Sequence, residues 1–532
     1  MRSRRSTSLR NLAACAMLIV PASALWGQER VDPLQSITQA ELRDHLYYLA
    51  SDFLAGRDAG EEGYILAAQY GAVHFRAAGL VPMLSDSSGA PTFFQQIRFE
   101  TATVSTESVM RVTLGDVERT YRLGQEFLAQ PVFASGGDQT ITGMPLFLGY
   151  GIEEPDLGWN DYEGVDAAGK MALIVGGAPT RNGEPVLPEE KHQMYSRLLR
   201  SANTLFASAL NHQVATLIVV PDSATATMWD RLASMMNRPT VRPVSPSSQE
   251  MTSPPSLSWI LQLRPEAAAD LLSGTGFDPV SGTGTYTPGP LEKVHVSLDL
   301  KRNVESAFSS PNVVALLPGT DSVLKNEYIV VTAHLDHVGI RSGELYNGAD
   351  DNASGSAAVL EAAEAAAMAP SKRSIIFVLF TSEEGGLLGS GYFVDNPPVP
   401  IEQIVLNINL DMVGRNSPPF PESLLALASE NERPRLLELI TSVNDSRVGA
   451  NLDLRLNEGE DPQNHVSRSD QLAFIQRDIP AILLTRGFMG PDYHRSSDDP
   501  ETINYEKVLQ AARLAFALAV EAGNREVLFD RE

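Results

Sequence analysis

The stretch Arg373–Ser390, RSIIFVLFTSEEGGLLGS, decides the fold class and raises the question of function. Its first part, SIIFVLF, is a continuous apolar run, which is typical of a strand buried on both faces. Two adjacent acidic residues, Glu383 and Glu384, follow almost directly, and glycines come next. Acidic side chains at the end of a core strand can simply keep a loop soluble, so their meaning depends on what else converges there.

Similar apolar runs alternate with helical segments from about residue 289 onward. We predict strands in EYIVVTAH, QIVLNINLDMVG and IPAILLTRG, and helices in ASGSAAVLEAAEAAAMAP and YEKVLQAARLAFALAVEAG. This alternation predicts an α/β fold with a mostly parallel central sheet flanked by helices. Ligands of such sheets gather outside the carboxyl ends of the strands.

Histidines and acidic residues cluster at these predicted strand ends. Besides the two glutamates, the cluster contains His334, Asp336, Asp350, Asp351, Asp411 and His494. Carboxylates that converge in a partly dry cleft repel one another, and divalent cations remove this repulsion. A site with nitrogen and oxygen ligands and no sulfur suits zinc, and cobalt or manganese less well. A water held between two such ions needs a base, and a glutamate that is not a ligand can supply it.

Charge and the N-terminal segment restrict the partners and the location. The chain has 532 residues and a formal net charge of -25, which argues against nucleic acid or anionic membrane as partners. The basic and then apolar start, MRSRRSTSLRNLAACAMLIVPASAL, predicts a cleavable signal peptide over residues 1–27, hence a secreted or periplasmic protein without stable membrane insertion. The only cysteine, Cys15, lies within it, so the mature chain has no thiolate ligand.

Changes in composition and in predicted secondary structure along the chain indicate the domain organisation. Residues 28–134 begin with helical segments, the first of which carries a capping box formed by Thr38 and Glu41. Residues 135–288 contain short strands separated by glycine, proline and aspartate turns, and they show no catalytic constellation. We therefore predict a small mixed domain inserted between 28–134 and 289–532, which together form the main domain.

The chain resembles the two-zinc aminopeptidases, family 28 of the metallopeptidases, because five short motifs around the clustered residues occur in the order found in that family. They are HLDH, GADDNASG, TSEEGGLLGS, NLDMVG and YH, and HLYYLASDFLAGRDAGEEGY resembles the N-terminal part of the family's catalytic domain. Residues 135–288 resemble the β-rich protease-associated (PA) domain that many members carry as an insertion. The resemblance implies a zinc-aminopeptidase, phosphorylase/hydrolase-like fold, and peptides as substrates.

The resemblance also implies a metal ligand set. His334 and Asp411 are the implied ligands of one zinc ion, and Glu384 and His494 are those of the other. Asp351, which heads the DNASG match, is the implied bridge between the two ions. The implied cofactors are therefore two zinc ions, with cobalt or manganese as alternatives.

Two further roles follow from the same resemblance. Asp336 is expected to orient His334 and fix its tautomer, and Glu383 is expected to be the general base. Adjacent residues of an extended chain point in opposite directions, so Glu383 and Glu384 should differ in role, although a swap of their roles stays open. The resemblance also implies a cis peptide bond at Asp351–Asn352.

Some neighbouring residues receive plainer interpretations. Asp350 is expected to be a loop acid and His337 to line the cleft, whereas Glu361 and Glu364 on the alanine-rich helix are expected to face solvent. Gln471, in SRSDQLAF, stands where many relatives have a histidine. This departure leaves the implied ligand set complete but puts substrate contacts near Gln471 in doubt.

The sequence thus predicts a secreted dinuclear zinc exopeptidase, in the first place an aminopeptidase that uses a metal-bridging hydroxide. A carboxypeptidase or dipeptidase of the same fold stays open, with Arg415 and Arg486 as candidates for binding a substrate carboxylate. A glutaminyl-cyclase-like acyltransferase with one zinc ion and a non-catalytic binding protein are the remaining alternatives. The complete ligand set argues against both.

Overall fold

The computed structural model describes residues 32–132, 138–181, 183–244, 257–416, 423–458, 465–487 and 490–529. The predicted signal peptide and Cys15 therefore lie outside the described residues. Within the described ranges, none of the helices combines the length and apolar character needed to cross a bilayer.

A sheet of ten strands forms the centre of the main lobe. Nine of the strands are labelled here, and Val81–Pro82 is the tenth, which pairs with the strand Arg302–Leu317. In chain order they are β1 Phe94–Val104, β2 Thr240–Pro243, β3 Arg302–Leu317, β4 Tyr328–His334, β5 Ser374–Phe380, β6 Ile404–Leu410, β7 Leu424–Ala428, β8 Leu452–Asp453 and β9 Ala481–Thr485.

The spatial order of the labelled strands is β2-β1-β3-β5-β4-β6-β9-β7-β8. The middle strands β5, β4, β6 and β9 are parallel to one another. Strands β1, β2 and β3 on one side pair antiparallel with one another, and β3 pairs antiparallel with β5. On the other side β7 pairs antiparallel with β9 and parallel with the short edge strand β8. The predicted α/β fold is confirmed, although the four parallel strands at the centre are flanked by antiparallel pairs on both sides.

Helices cover both faces of the parallel centre. The labelled helices are α1 Gln39–Leu49, α2 Glu62–Ala77, α3 Gly355–Met368, α4 Leu388–Asp395, α5 Arg433–Val443 and α6 Tyr505–Asn524. Helix α1 begins with the predicted cap, in which the Thr38 hydroxyl accepts the N–H of Glu41 at 3.3 Å. All labelled helices except α4 share one core with the sheet, whereas α4 and the short helix Gln471–Ile475 pack on the opposite face.

Strand β5 shows why its sequence is apolar at every position. Ile375, Phe377 and Leu379 enter the core on the side of α3 and α6, whereas Ile376, Val378 and Phe380 enter the core on the side of α4. Because successive side chains of a strand point to opposite faces, burial on both faces requires an unbroken apolar run.

A second lobe has its own core, which runs from Val104 to Leu300. Its larger sheet has six strands, in the spatial order Gly289–Pro290, Leu146–Phe147, Met171–Val175, Thr216–Val220, Trp259–Leu263 and Phe127–Pro131. Its smaller sheet has four strands, in the spatial order Val117–Arg122, Val109–Leu114, Val294–Leu300 and Gln139–Gly143. The longest helix among the described residues of this lobe is Leu198–Asn211. This lobe therefore extends beyond the predicted residues 135–288, since strands on both sides of that range complete its sheets. Its interpretation as a PA-like domain stays a prediction.

Candidate metal centre

The carboxyl ends of the parallel strands bring the predicted site residues together at one edge of the sheet. Strand β4 ends at His334, Asp411 follows the last residue of β6, and the two glutamates follow β5 after a short turn. His494 comes from the loop after β9, and Asp351 comes from the segment that leads into α3. The expectation that these elements converge is therefore met in the structure.

One carboxylate oxygen of Asp351 faces a first pair of side chains. The Nε2 atom of His334 lies 3.4 Å from Asp351 Oδ1 and 3.4 Å from Asp411 Oδ1. All three residues are buried. Although burial by itself lowers the pKa of His334, the carboxylates of Glu383 and Asp411 raise it well above the ordinary value.

The other oxygen of Asp351 faces a second pair. His494 Nε2 lies 3.2 Å from Asp351 Oδ2 and 3.1 Å from Glu384 Oε2. Burial lowers the pKa of His494, but its hydrogen bonds to these two carboxylates raise it to about 10. Asp351 therefore joins two groups of side chains through two different oxygen atoms, as its implied bridging role requires.

These distances fit the spacing of atoms around divalent cations. Two ligand atoms bound tetrahedrally to zinc at its usual bond lengths lie about 3.4 Å from each other. One buried carboxylate oxygen of the centre, Asp411 Oδ1, has no hydrogen-bond partner among the described residues. A buried acceptor without a partner is costly, and a cation would satisfy it. The residues present therefore fit zinc.

His337 belongs to the centre more closely than its sequence suggested. It is fully buried, and its Nδ1 atom lies 2.8 Å from Glu384 Oε1 and 3.9 Å from Asp351 Oδ2. With Glu384 and Asp351 it forms one of two side-chain groups in the described residues that could hold a metal ion; His334, Glu383 and Asp411 form the other. The signal available in the sequence was its position, three residues after His334 at the same strand end.

Asp336 supports the centre in a different way from the one expected. The Nδ1–H of His334 donates to the main-chain oxygen of Asp336 at 3.1 Å, so this carbonyl fixes the tautomer. The Asp336 carboxylate lies 4.0 Å from that nitrogen. It instead accepts the main-chain N–H groups of Glu383 and Glu384 at 3.0 and 3.3 Å. Asp336 therefore links the loop after β4 to the loop after β5.

The two adjacent glutamates lie in different electrostatic environments. Burial, reinforced by the charge of Glu384, raises the pKa of Glu383 well above its ordinary value. Burial acts on Glu384 too, but hydrogen bonds from His337 and His494 hold the pKa of Glu384 below its ordinary value. Neighbouring acids whose environments separate their pKa values in this way are suited to different chemical tasks.

The two arginines considered for substrate binding are both engaged by buried acids. Arg486 Nε lies 2.6 Å from Asp350 Oδ2, so Asp350 is a buried ion-pair partner rather than a loop acid. Arg415 pairs with Asp492 and with Asp498, each at 2.8 Å. Both guanidinium groups are more than nine-tenths buried.

Asn352 ties the bridging residue to the end of β6. The Asp351–Asn352 peptide bond is cis, as the resemblance implied. The side chain of Asn352 donates to the carbonyl oxygen of Leu410 at 2.9 Å and accepts the N–H groups of Gly355 and Met412 at 2.9 and 3.2 Å. The side chain thus fixes the Asp351 loop relative to Asp411.

Gln471, the noted departure, has a structural role in the protein interior. Its side-chain oxygen accepts from Asn409 of β6 at 2.8 Å, and its side-chain nitrogen donates to the carbonyl oxygen of Val466 at 2.8 Å. Gln471 is fully buried. Its amide therefore joins β6 to the segment before the helix Gln471–Ile475.

Residues 312–519, which contain all of these metal-centre residues, match Peptidase family M28. This segment is an M28 peptidase domain. It begins within β3 and ends within α6, so the second lobe and helices α1 and α2 lie outside the matched segment.

Several curated relatives of the chain carry the names of aminopeptidases. The chain is 30% identical over 233 residues to Aminopeptidase YwaD of Bacillus subtilis (strain 168), covering 43% of this chain and 48% of that protein. It is 27% identical over 297 residues to Leucine aminopeptidase 2 of Trichophyton rubrum, covering 46% of this chain and 56% of that protein. The chain thus spans about half the length of these relatives. A solved structure of BSAP, a zinc aminopeptidase from Bacillus subtilis, aligns with a TM-score of 0.46 and 20% identity over 92% of this chain and 96% of that one.

Proposed function

We propose that the chain is a two-zinc aminopeptidase that hydrolyses the N-terminal peptide bond of its substrates. The observation that carries this proposal is the placement of the two oxygens of Asp351, 3.4 and 3.2 Å from the histidines of two separate groups. His334 and Asp411 would hold one ion, and His494 and Glu384 the other. The names of the curated relatives support the same activity.

The chain's own residues can perform the proton transfers of such a reaction. Zinc ions bound in this centre would lower the pKa of a bound water and polarise the scissile carbonyl group. Glu383, which the two ligand pairs do not require, would accept the proton of the attacking water and return it to the leaving amine. Its raised pKa suits a carboxyl group that must hold a proton between these two steps.

The ion pairs of the centre favour the amino end of the substrate over the carboxyl end. A carboxypeptidase needs a cation for the substrate's terminal carboxylate, and the two candidates, Arg415 and Arg486, are buried against acids. The acidic surroundings of the centre would attract a substrate ammonium group instead. Two ligand pairs and a retained base also favour this activity over a one-zinc acyltransferase or a non-catalytic binding protein. Secretion or export to the periplasm is proposed from the N-terminal sequence alone.

A peptide library in two forms tests the activity. Purified protein with zinc is incubated with free and N-acetylated peptides, and the products are followed by mass spectrometry. Loss of single N-terminal residues from the free peptides only is the expected result. Trimming of the acetylated peptides from the C-terminus would replace the proposal with a carboxypeptidase.

The role of Glu383 has its own test. Glu383→Gln keeps the shape of the side chain and should retain both zinc ions while kcat falls by about 10²–10⁴-fold, since the base is removed. Glu364→Gln, on the exposed side of α3, is the matched control and should leave kcat unchanged. Zinc is counted by mass spectrometry of the dialysed proteins. A loss of zinc from Glu383→Gln, with zinc retained by Glu384→Gln, would reverse the roles of the two glutamates.

A further inference from the structure

A fully buried arginine lies behind the metal centre, outside the segment that matches the M28 family. Arg57 directs its donors at main-chain carbonyl oxygens. Its Nε donates to Leu335 at 2.8 Å, one terminal nitrogen donates to Asn347 at 2.8 Å and to Leu49, and the other donates to Gly348 at 2.9 Å. No salt bridge joins Arg57 to an acid within the part of the chain that the structure describes.

Three of these four carbonyl groups belong to the two loops that carry metal-centre residues, and the fourth, that of Leu49, lies at the end of α1. Leu335 lies between His334 and Asp336, and it is 278 positions from Arg57 in the sequence. Asn347 and Gly348 lie just before Asp351. One planar guanidinium group, whose donors have a fixed relative geometry, therefore spans the gap between the His334 loop and the Asp351 loop.

The backbone around Arg57 strengthens the same connection. The carbonyl oxygen of Arg57 accepts the N–H of His337 at 3.2 Å, and that of Gly56 accepts the N–H of Gly339 at 3.2 Å. A Cβ atom on Gly56 would lie 2.3 Å from the carbonyl oxygen of Tyr346, so the two segments are in close contact. The Arg57 segment thus contacts both ends of the stretch between His337 and Gly348.

The guanidinium charge also matters because the centre is acidic. Burial lowers the pKa of Arg57 to about 10, while Asp336, Asp498, Asp351 and Glu384 act in the opposite direction. Arg57 therefore remains a cation at neutral pH. It offsets part of the negative charge behind the ligands without occupying a ligand atom.

We propose that Arg57 is a positioning residue of the metal centre, which sets the separation between the His334–Asp336 loop and the Asp351 loop. The inference rests on the proposed zinc-binding function. Without the guanidinium, four buried carbonyl oxygens lose a donor, and the two loops lose their shared anchor. Supporting residues of metal ligands typically account for 10- to 100-fold in metal affinity or activity, and we expect an effect of this size.

The test compares Arg57→Lys and Arg57→Met with Arg373→Met. Arg373 is a suitable control because it is also buried and donates to the carbonyl oxygens of Ala522, Arg525 and Glu526, at the opposite end of β5 from the metal centre. Unlike Arg57, it also pairs with an acid, Glu327, at 2.7 Å. Zinc affinity of each metal-free protein is measured by competition with a chromophoric chelator, after circular dichroism has established that the protein is folded.

We expect both Arg57 variants to bind zinc about 10- to 100-fold more weakly and to lose kcat more than they change KM. Arg373→Met should lower the Tm and leave the zinc affinity within about two-fold, because its contacts are structural only. If Arg57→Met fails to fold, Arg57→Lys decides, since it keeps the charge but not the planar fork.

Two results would overturn the role of Arg57: folded Arg57→Lys with the zinc affinity of the wild type, or an equal loss of affinity in Arg373→Met. Failure of the proposed function gives a different result, because the wild-type protein itself would then bind fewer than two zinc ions. The affinity measurement separates the two failures without relying on catalysis.

Discussion

Replacement of Asp498 by asparagine is the sharpest test of how the centre is held together. This buried carboxylate accepts the N–H groups of Asp350 at 3.0 Å and Asp351 at 3.1 Å. It also accepts two hydrogen bonds from Arg415, at 3.1 and 2.8 Å, and it lies on the loop that carries His494. Asp498 therefore joins the Asp351 loop, the segment after β6 and the His494 loop.

The expected cost follows from the burial of the ion pair. Removing one partner of a buried pair typically costs about 3–5 kcal/mol, because the other charge stays buried without compensation. Arg415 keeps its contact with Asp492 at 2.8 Å, and asparagine keeps one acceptor oxygen. We therefore expect Asp498→Asn to lower the free energy of unfolding by about 3 kcal/mol, the lower end of the range.

Urea unfolding of the metal-free protein measures this cost without the contribution of bound zinc. Asp499→Asn is the matched control. Among the described residues, the side chain of Asp499 accepts one hydrogen bond, from Asn347 at 3.0 Å, and its change should cost about 1 kcal/mol. The double variant Asp498→Asn with Arg415→Met should cost less than the sum of the single changes. A cost below about 1 kcal/mol for Asp498→Asn, or strict additivity, would contradict this account of the ion pair.

Three further predictions address the bridge, the backbone and the second lobe. Asp351→Asn should weaken both zinc sites, whereas Asp411→Asn should weaken one, as measured by zinc titration. Gly348→Ala should reduce zinc affinity, because the new Cβ would lie 2.2 Å from the carbonyl oxygen of Asp351, whereas Gly343→Ala meets open space and should leave it unchanged. Burial raises the pKa of Asp161 to about 6, so the folded state binds this proton more tightly than the unfolded chain does. Stability of the wild type relative to Asp161→Asn should therefore fall as pH rises from about 4 to about 6, by at most about 3 kcal/mol, in thermal unfolding.

The parallel centre of the sheet and the site residues could be predicted because each carries a strong constraint on residue type. A strand covered on both faces, such as β5, must be apolar throughout, and this pattern is visible without any knowledge of its neighbours. Metal ligands must be histidine or acidic residues when cysteine is missing, and the carboxyl end of a parallel strand is where they collect. His334 and Asp411 satisfied both conditions, and the structure brings them together.

Contacts between distant segments were harder to predict. Glu361 was expected to face solvent, but it is buried and pairs with His45 of α1 at 3.1 Å. The alanine-rich sequence of α3 gives no sign of this, because the side of a helix that a neighbouring helix covers depends on tertiary packing. The antiparallel flanks of the sheet were missed for the same reason, since pairing between β1 and β3 joins residues about 200 positions apart.

The residues that support the centre were the hardest to predict from the sequence, because their partners are main-chain groups. Asp336 acts through two main-chain N–H groups, and Arg57 acts through main-chain carbonyl oxygens. Every non-proline residue offers one such donor and one such acceptor, so these contacts impose no side-chain type on the partner and leave no pattern at Leu335 or Gly348. A ligand is recognisable because its chemistry restricts the choice of side chain. A residue that positions a ligand through the main chain is recognisable only from the fold, and for this reason substitutions at Arg57 and Asp336 are more informative about the M28 domain than changes to its proposed ligands.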